Sequence, residues 1–470
     1  MPDTVELPLL GVVSVEDILN ARAHQAACGK KGVFIQTLGC QMNEHDTEIM
    51  LGLLIQAGYH PVDNMLAADL ILFNTCCVRE NPERKVYGQV RMLQALKEYN
   101  PKLIIGICGC MTQQPVQRKQ MINKLKHVDL IFGTHNIHRL PELLHQVETS
   151  GQQVVEVWDE VDDIVENLPA QRADWLKAYV TIMYGCNERC TYCIVPFVRG
   201  HERSRQPQAI IDEIRSLTAN GCKEVMLLGQ NVNAYGHDLG SQTTFANLLR
   251  QVNEVPGIAR IRYTSPHPRY FTADVIDAMA EAEAVCEHVH LPVQAGSDIV
   301  LRRMGRRYTR AHYIDLVARM RQAIPNLAVT TDFIVGFPGE TDADFEQTLS
   351  LVREVEFDNS FMFIYSPREG TAATRLPNPV PDDVKTERIH RLIELQKQIS
   401  LRRNQALIGS VEEVLVDSLG KTPGTLAGRT RSNKLVVFKD EGQKIGDLVS
   451  VRISTAFTWS LSGDTIEKQH

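Results

Sequence analysis

The chain has 470 residues, 43% of them hydrophobic and 23% charged, with 57 acidic against 50 basic residues and a net charge of −7. That length exceeds one ordinary core and points to about three domains. The composition argues against a disordered chain and against a non-specific polyanion binder. Eleven cysteines, an odd number, fit metal ligation in a reduced cytosol better than a disulfide framework. No run of about eighteen apolar residues is present to span a membrane, and residues 1–30 lack the basic and long apolar regions of a secretory signal. The chain is expected to be cytoplasmic, with residues 1–30 as a flexible or family-specific extension.

From residue 32 to 148 short apolar runs at 33–38, 70–74, 103–108 and 128–132 alternate with helix-like segments at 44–57, 83–99, 115–125 and 137–147. This alternation implies a doubly wound parallel sheet, whose ligands sit beyond the carboxyl ends of the strands. Cys40, Cys76 and Cys110 fall at three of those ends. Converging on one sheet edge beside helix N-termini, they suggest a three-thiolate cluster with one iron open. Cys77 and Cys108 read as packing cysteines. Residues 151–174, with Glu156, Asp159, Glu160, Asp162, Asp163 and Glu166 and then Pro169, read as a self-repelling connector.

The β/α alternation resumes from 177 to 366, with strands expected at 179–184, 224–228, 261–265, 288–292, 328–335 and 361–365. Helices are expected at 207–219, 245–255, 273–283, 311–324 and 343–355, the last capped by Thr341. Six such units make a partial (β/α)6 barrel with its site at the carboxyl ends of the strands. The stretch Cys186-Asn187-Glu188-Arg189-Cys190-Thr191-Tyr192-Cys193 follows the first strand and reads C-x-x-x-C-x-x-C. Three close thiolates grip one face of a 4Fe–4S cube and leave the fourth iron for a non-protein ligand. Structural zinc with His201 as fourth ligand is the plainer alternative, although zinc prefers two paired motifs. Four rim loops are polar or glycine-rich: Gly229-Gln230-Asn231, Ser265-Pro266-His267, Gln294-Ala295-Gly296-Ser297 and Gly336-Phe337-Pro338-Gly339-Glu340. Two basic runs, Arg199/Arg203/Arg205 and Arg302/Arg303/Arg306/Arg307, suit either a solvated face or phosphate contact.

Residues 381–407 have the apolar spacing of an amphipathic helix. Beyond Gly409, four short strands at 412–417, 426–431, 434–438 and 448–453 form a small all-β module. Its cluster of Arg429, Arg431 and Lys434 suits RNA backbone contact.

The cysteine spacing at 186–193 resembles the radical S-adenosylmethionine (SAM) superfamily, in which the open iron chelates SAM. The order of the pieces resembles the methylthiotransferase family over residues 32–470: a three-cysteine domain (32–148), a radical SAM barrel (172–405) and a TRAM β-domain (408–470). Tyr184-Gly185-Cys186-Asn187, Arg199-Gly200-His201-Glu202-Arg203-Ser204-Arg205, Gly229-Gln230-Asn231-Val232-Asn233, Thr331-Asp332-Phe333-Ile334-Val335-Gly336-Phe337-Pro338-Gly339-Glu340 and Tyr365-Ser366-Pro367-Arg368-Glu369-Gly370 look like the branch that acts on isopentenylated tRNA. Cys77 beside Cys76, and Thr112 where alanine is usual after Cys110, depart from the pattern.

The resemblance implies a methylthio group added to carbon 2 of N6-isopentenyladenosine at tRNA position 37, next to the anticodon. It implies two 4Fe–4S clusters, on Cys186/Cys190/Cys193 and on Cys40/Cys76/Cys110, with the auxiliary one carrying the sulfur. SAM would lie near Tyr192, Gly229, Gln230 and Asn231. The implied partners are the anticodon stem-loop and an electron-donor protein. Competing readings are a relative acting on threonylcarbamoyladenosine tRNA or a ribosomal-protein aspartate, and a non-catalytic iron–sulfur RNA-binding protein.

Overall fold

The computed structural model describes residues 4–7, 11–27, 29–77, 80–161, 163–240 and 242–466. The chain separates into two compact units. The first comprises residues 1–173, 184–188 and 194–205; the second comprises 174–183, 189–193 and 206–470. No described helix is long and apolar enough to cross a membrane.

The first unit is built on a six-stranded parallel sheet in the order Tyr59–Pro61, Lys31–Leu38, Leu70–Thr75, Ile104–Gly109, Leu130–Phe132, Val154–Glu156. Side chains alternate across the sheet, and this divides each strand between two cores. Ile71, Phe73, Ile105, Ile107 and Ile131 enter one; Leu70, Leu72, Ile104, Cys108, Leu130 and Phe132 enter the other. A strand buried on both faces needs such a continuous apolar run, which is why the sequence exposes these strands so readily.

Two expectations change here. Residues 4–7 and 11–27 are not a loose extension: Thr4–Leu7 pairs antiparallel with Gly11–Ser14, and the helix Val15–Ala27 follows. Leu7, Val13 and Ile18 lie in the first of the two cores. The acidic segment 151–174 is not a self-repelling connector either. Val154–Glu156 is an edge strand of the sheet, and its carboxylates find cations: Glu156 with Arg139, Asp159 with Arg118, Glu166 with Arg205. Arg172 closes it with a 2.6 Å hydrogen bond to Glu48. Three of its acidic side chains thus have a cation each, while Glu160 and Asp163 stay exposed. Asp162 lies outside the described residues.

The second unit carries two parallel three-stranded groups. Lys177–Thr181, Glu224–Leu228 and Arg260–Tyr263 make one; His288–His290, Ala328–Val335 and Asn359–Ile364 make the other. An Ile261–Val285 bridge joins them, giving the open (β/α)6 barrel. Helices cover it, and Asp342–Val355 starts with a capping box between Thr341 and Asp344. The helix Asp382–Gln405 runs on to a closed five-stranded β-barrel of Val411–Leu419, Thr425–Thr430, Leu435–Lys439, Leu448–Ala456 and Leu461–Ile466. The fifth strand, absent from the sequence reading, offers only Leu461 and Ile466 as large apolar side chains. It closes the barrel by pairing parallel to Leu435–Lys439 and antiparallel to Leu448–Ala456, a long-range arrangement no local pattern signals.

Candidate metal centres

In the first unit, strand register sets the cysteine cluster. Leu38 lies opposite Thr75, and Thr75 opposite Gly109, so Cys40, Cys76 and Cys110 emerge together just past three neighbouring strand ends. Each polypeptide turn is then fixed by short-range chemistry. Asn43 donates to the Asn74 side chain at 2.9 Å and to the Thr75 carbonyl at 3.2 Å, while Asn74 donates back to the Asn43 carbonyl at 2.7 Å. Both asparagines are buried, and the pair ties the Cys40 turn to the Cys76 strand. At Gly109, with φ +94°, an added Cβ would stand 2.3 Å from the Thr75 carbonyl oxygen, so only glycine lets the Cys110 turn come this close.

The thiols are polarised. A hydrogen bond from the Cys76 thiol pulls Cys40 down to about 6 against the opposing effect of burial; the Arg199 guanidinium adds to it. The backbone N–H groups of Met42 and Asn43, at the start of the helix Gln41–Gln56, act in the same direction, though neither closes a formal cap bond. A hydrogen bond from Cys77 lowers Cys110 against its own burial, and Arg199 adds to that shift. The same bond, then burial, raises Cys77 well above the usual thiol range. Cys77 packs with Cys110, Ile194 and Val198, and Cys108 lies in the core 3.7 Å from the Met50 sulfur.

Cys186 belongs to the same unit. Gly185 precedes it with φ +76°, where a Cβ would meet the His201 carbonyl oxygen at 1.9 Å, and the Cys186 amide donates to the Gly200 carbonyl at 3.1 Å.

Cys190, Tyr192 and Cys193 belong to the second unit. Their turn is held by the Thr191 amide to the Met304 carbonyl, the Cys193 amide to the Cys190 carbonyl, and the Ala373 amide to the Thr191 carbonyl, at 2.8, 3.0 and 2.8 Å. Tyr192 meets Phe337 edge-on with ring centroids 6.4 Å apart, and burial pushes its hydroxyl well above the usual range. Arg306, 7% exposed, donates to the Cys190 sulfur at 3.4 Å, to the Pro292 carbonyl at 2.9 Å and to the Tyr308 hydroxyl at 2.9 Å.

The barrel rim carries the four expected loops. A Cβ on Gly229 would meet Met183 at 2.7 Å. Gln230 follows, and Asn231 is buried at the head of the turn Val232–Ala234. Ser265 and Gln294 hold left-handed φ values of 62° and 75° without being glycine, a strain that tends to collect at functional sites. His267 accepts the Arg269 amide on Nδ1 at 3.2 Å, which leaves the proton on Nε2. That atom is buried without a hydrogen-bond partner. Burial, with Arg306 and Arg269 nearby, pushes this imidazole down to about 2, so it is neutral.

The first basic run is committed inside the protein, whereas Arg302, Arg303 and Arg307 of the second are exposed. Arg199 pairs with Asp46, and Arg205 with Glu166; Arg203 is buried. In the β-module Arg431 pairs with Glu287 and Lys434 with Asp358, whereas Arg429 is exposed. Phe457 and Trp459 are exposed at 54% and 55%, and the Asn404 side chain holds their turn by the carbonyls of Phe457 and Thr458. Sequence periodicity gave no hint of these two.

Among the described residues, no three His, Cys, Asp or Glu side chains gather closely enough to hold a single ion. A cube is gripped at separate corners and needs its thiolates spread, so fit rests on donor chemistry. Three thiols on one sheet edge, two of them lowered, beside a buried guanidinium, suit an anionic iron–sulfur cluster.

Residues 180–352 match the radical SAM superfamily, 32–133 an uncharacterised family designated UPF0004, and 405–466 the TRAM domain. The chain is 51% identical over 95% of its length to a tRNA-2-methylthio-N(6)-dimethylallyladenosine synthase of Acetivibrio thermocellus, covering 94% of that protein. It is 52% identical over 92% of its length to the enzyme of the same name from Desulforamulus reducens, covering 95% of it. Among solved structures, the radical SAM methyltransferase TsrM of Kitasatospora setae shares the fold at TM-score 0.54 and 13% identity, over 78% of this chain and 89% of that one. The identity and coverage of these relatives decide the matter, and the chain belongs to the tRNA-2-methylthio-N(6)-dimethylallyladenosine synthase family of radical SAM enzymes.

Proposed function

We propose that the chain adds a methylthio group to carbon 2 of N6-isopentenyladenosine at position 37 of tRNA, in the cytoplasm, with electrons supplied by a donor protein. The observation that carries this reading is the gathering of Cys40, Cys76 and Cys110 at three adjacent strand ends in a chain half identical to synthases of that name. In our reading the auxiliary-cluster domain spans 32–148, the radical SAM barrel 172–405 and the RNA-binding TRAM domain 408–470.

Cys186, Cys190 and Cys193 would ligate one 4Fe–4S cluster, and Cys40, Cys76 and Cys110 would ligate a second. When bound, the first cluster with SAM supplies one-electron chemistry able to break an unactivated C–H bond, and the second supplies the sulfur site. The protein's own groups do the positioning. Tyr192, kept neutral, offers an apolar ring to the SAM adenine. Gly229, Gln230 and Asn231 border the rest of the cofactor, where a side chain at 229 would crowd Met183. Phe457 and Trp459 present flat faces on which unpaired bases of the anticodon stem-loop stack.

The test is anaerobic reconstitution with iron, sulfide, SAM, a reductant and tRNA carrying isopentenyladenosine, followed by nucleoside mass spectrometry. The 2-methylthio nucleoside is expected. Methylthiolation of a ribosomal-protein aspartate with the nucleoside unchanged would overturn the assignment.

A further inference from the structure

We propose that Arg199 is a positioning residue that sets the reduction potential of the auxiliary cluster through its hydrogen bond to Cys110, with Asp46 as its counterweight. This rests on the reading above that Cys110 is a cluster ligand.

Arg199 ends the short helix Val195–Arg199 and is 3% exposed. Such burial removes it from any phosphate of a nucleic acid. Its Nε donates to the Cys110 sulfur at 3.3 Å, and its Nη2 donates to the Asp46 carboxylate at 2.7 Å. The Asp46 side chain is itself 3% exposed. A guanidinium withdrawn this far from water is costly unless its donors are used. One branch here is used by a carboxylate and the other by a sulfur. Guanidinium only donates, so the Cys110 sulfur must be the acceptor, the role of a thiolate or of a cluster ligand.

A structural ion pair between Arg199 and Asp46 needs no third partner, yet Nε is aimed at the sulfur. Hydrogen bonds and positive charge at cluster sulfurs favour the more reduced, more negative state and raise the potential. Asp46, a buried negative charge on the far branch, opposes this. The pair therefore makes two predictions of opposite sign, which a purely structural role does not.

The experiment uses the full-length chain with Cys186, Cys190 and Cys193 replaced by alanine, so that only the auxiliary cluster remains. After anaerobic reconstitution, iron and sulfide are measured, and the cluster is titrated with dithionite under electron paramagnetic resonance. Arg199→Gln is expected to lower the potential, Asp46→Asn to raise it, and Arg199→Lys to lie between wild type and Arg199→Gln. Equal potentials in all of these at full iron content would overturn the proposal. If Arg199→Gln fails to fold or to hold iron, Asp46→Asn still decides, because it keeps the arginine: a potential unchanged or lowered overturns the proposal. A parent chain without iron overturns the two-cluster reading instead, and chemical analysis reveals that before any titration.

Discussion

Arg262 donates from Nε to the Glu224 carboxylate at 2.9 Å on the neighbouring strand, and both side chains are withdrawn from solvent. From that anchor Arg262 reaches the carbonyls of Thr430 and Arg431 at 2.8 and 2.9 Å. Arg260, with no exposed side-chain surface, adds the Arg429 carbonyl at 2.6 Å and Glu413. The β-module is thus latched to the (β/α)6 barrel by arginines from a single strand. Removing one partner of a buried pair leaves the other uncompensated, at a cost of about 3–5 kcal/mol. Arg262→Ala should lower stability by that order in denaturant unfolding, and the β-module should become the first region cut in limited proteolysis.

Lys434 and Arg431 are held by Asp358 and Glu287, so neither is spare for phosphate. Lys434→Ala should reduce thermal stability while leaving the salt dependence of tRNA binding unchanged, since that slope counts phosphate contacts. Trp459→Ala should instead weaken tRNA binding, with the salt slope also unchanged because stacking neutralises no phosphate. Loss of one stacked base is worth about 1–3 kcal/mol, roughly a tenfold to hundredfold weakening in a filter-binding titration, with the melting temperature intact.

Cys76 and Cys77 are both candidates for one position of the proposed auxiliary cluster, and their surroundings differ. Cys76 hydrogen-bonds to Cys40, whereas Cys77 is packed with Ile194 and Val198 and its thiol is pushed up. Cys76→Ala should lose about half of the reconstituted iron. Cys77→Ala should keep nearly all of it. Retention of full iron by Cys76→Ala would assign the ligand to Cys77.

His267 is neutral when folded, with its imidazole pushed down to about 2. Unfolded, it protonates near pH 6.5. Stability rises with pH wherever the unfolded chain binds more protons. Above about pH 6.5 the residue is therefore indifferent, and below it the folded state loses roughly 1.4 kcal/mol per pH unit down toward pH 2. His267→Gln should flatten this slope between pH 6 and 4 in denaturant unfolding, against an unchanged plateau slope at pH 7–8.

The strands that hold the cysteines were legible because burial on both faces demands unbroken apolar runs, as at 70–75 and 104–109. The short loops were legible because glycine and cysteine stand where a close turn and a thiolate are needed. What escaped the sequence is pairing across distance. Arg199 looked like one member of a surface run, and nothing at 199 announces Asp46, which is 153 positions earlier. The acidic stretch misled for the same reason: charge along a chain says nothing about partners across it. Phe457 and Trp459 have no periodic neighbours, so only the fold exposes them as a surface.

The first unit includes residues 184–188 and 194–205 as well as 1–173, so it is interrupted by the second in chain order. A gene fragment ending at 173 would encode the whole sheet yet leave Asp46 without Arg199 and Cys110 without Ile194 and Val198. Exchange of this unit between relatives by recombination therefore has to carry two pieces at once, and a single crossover in the acidic segment separates partners that must arrive together.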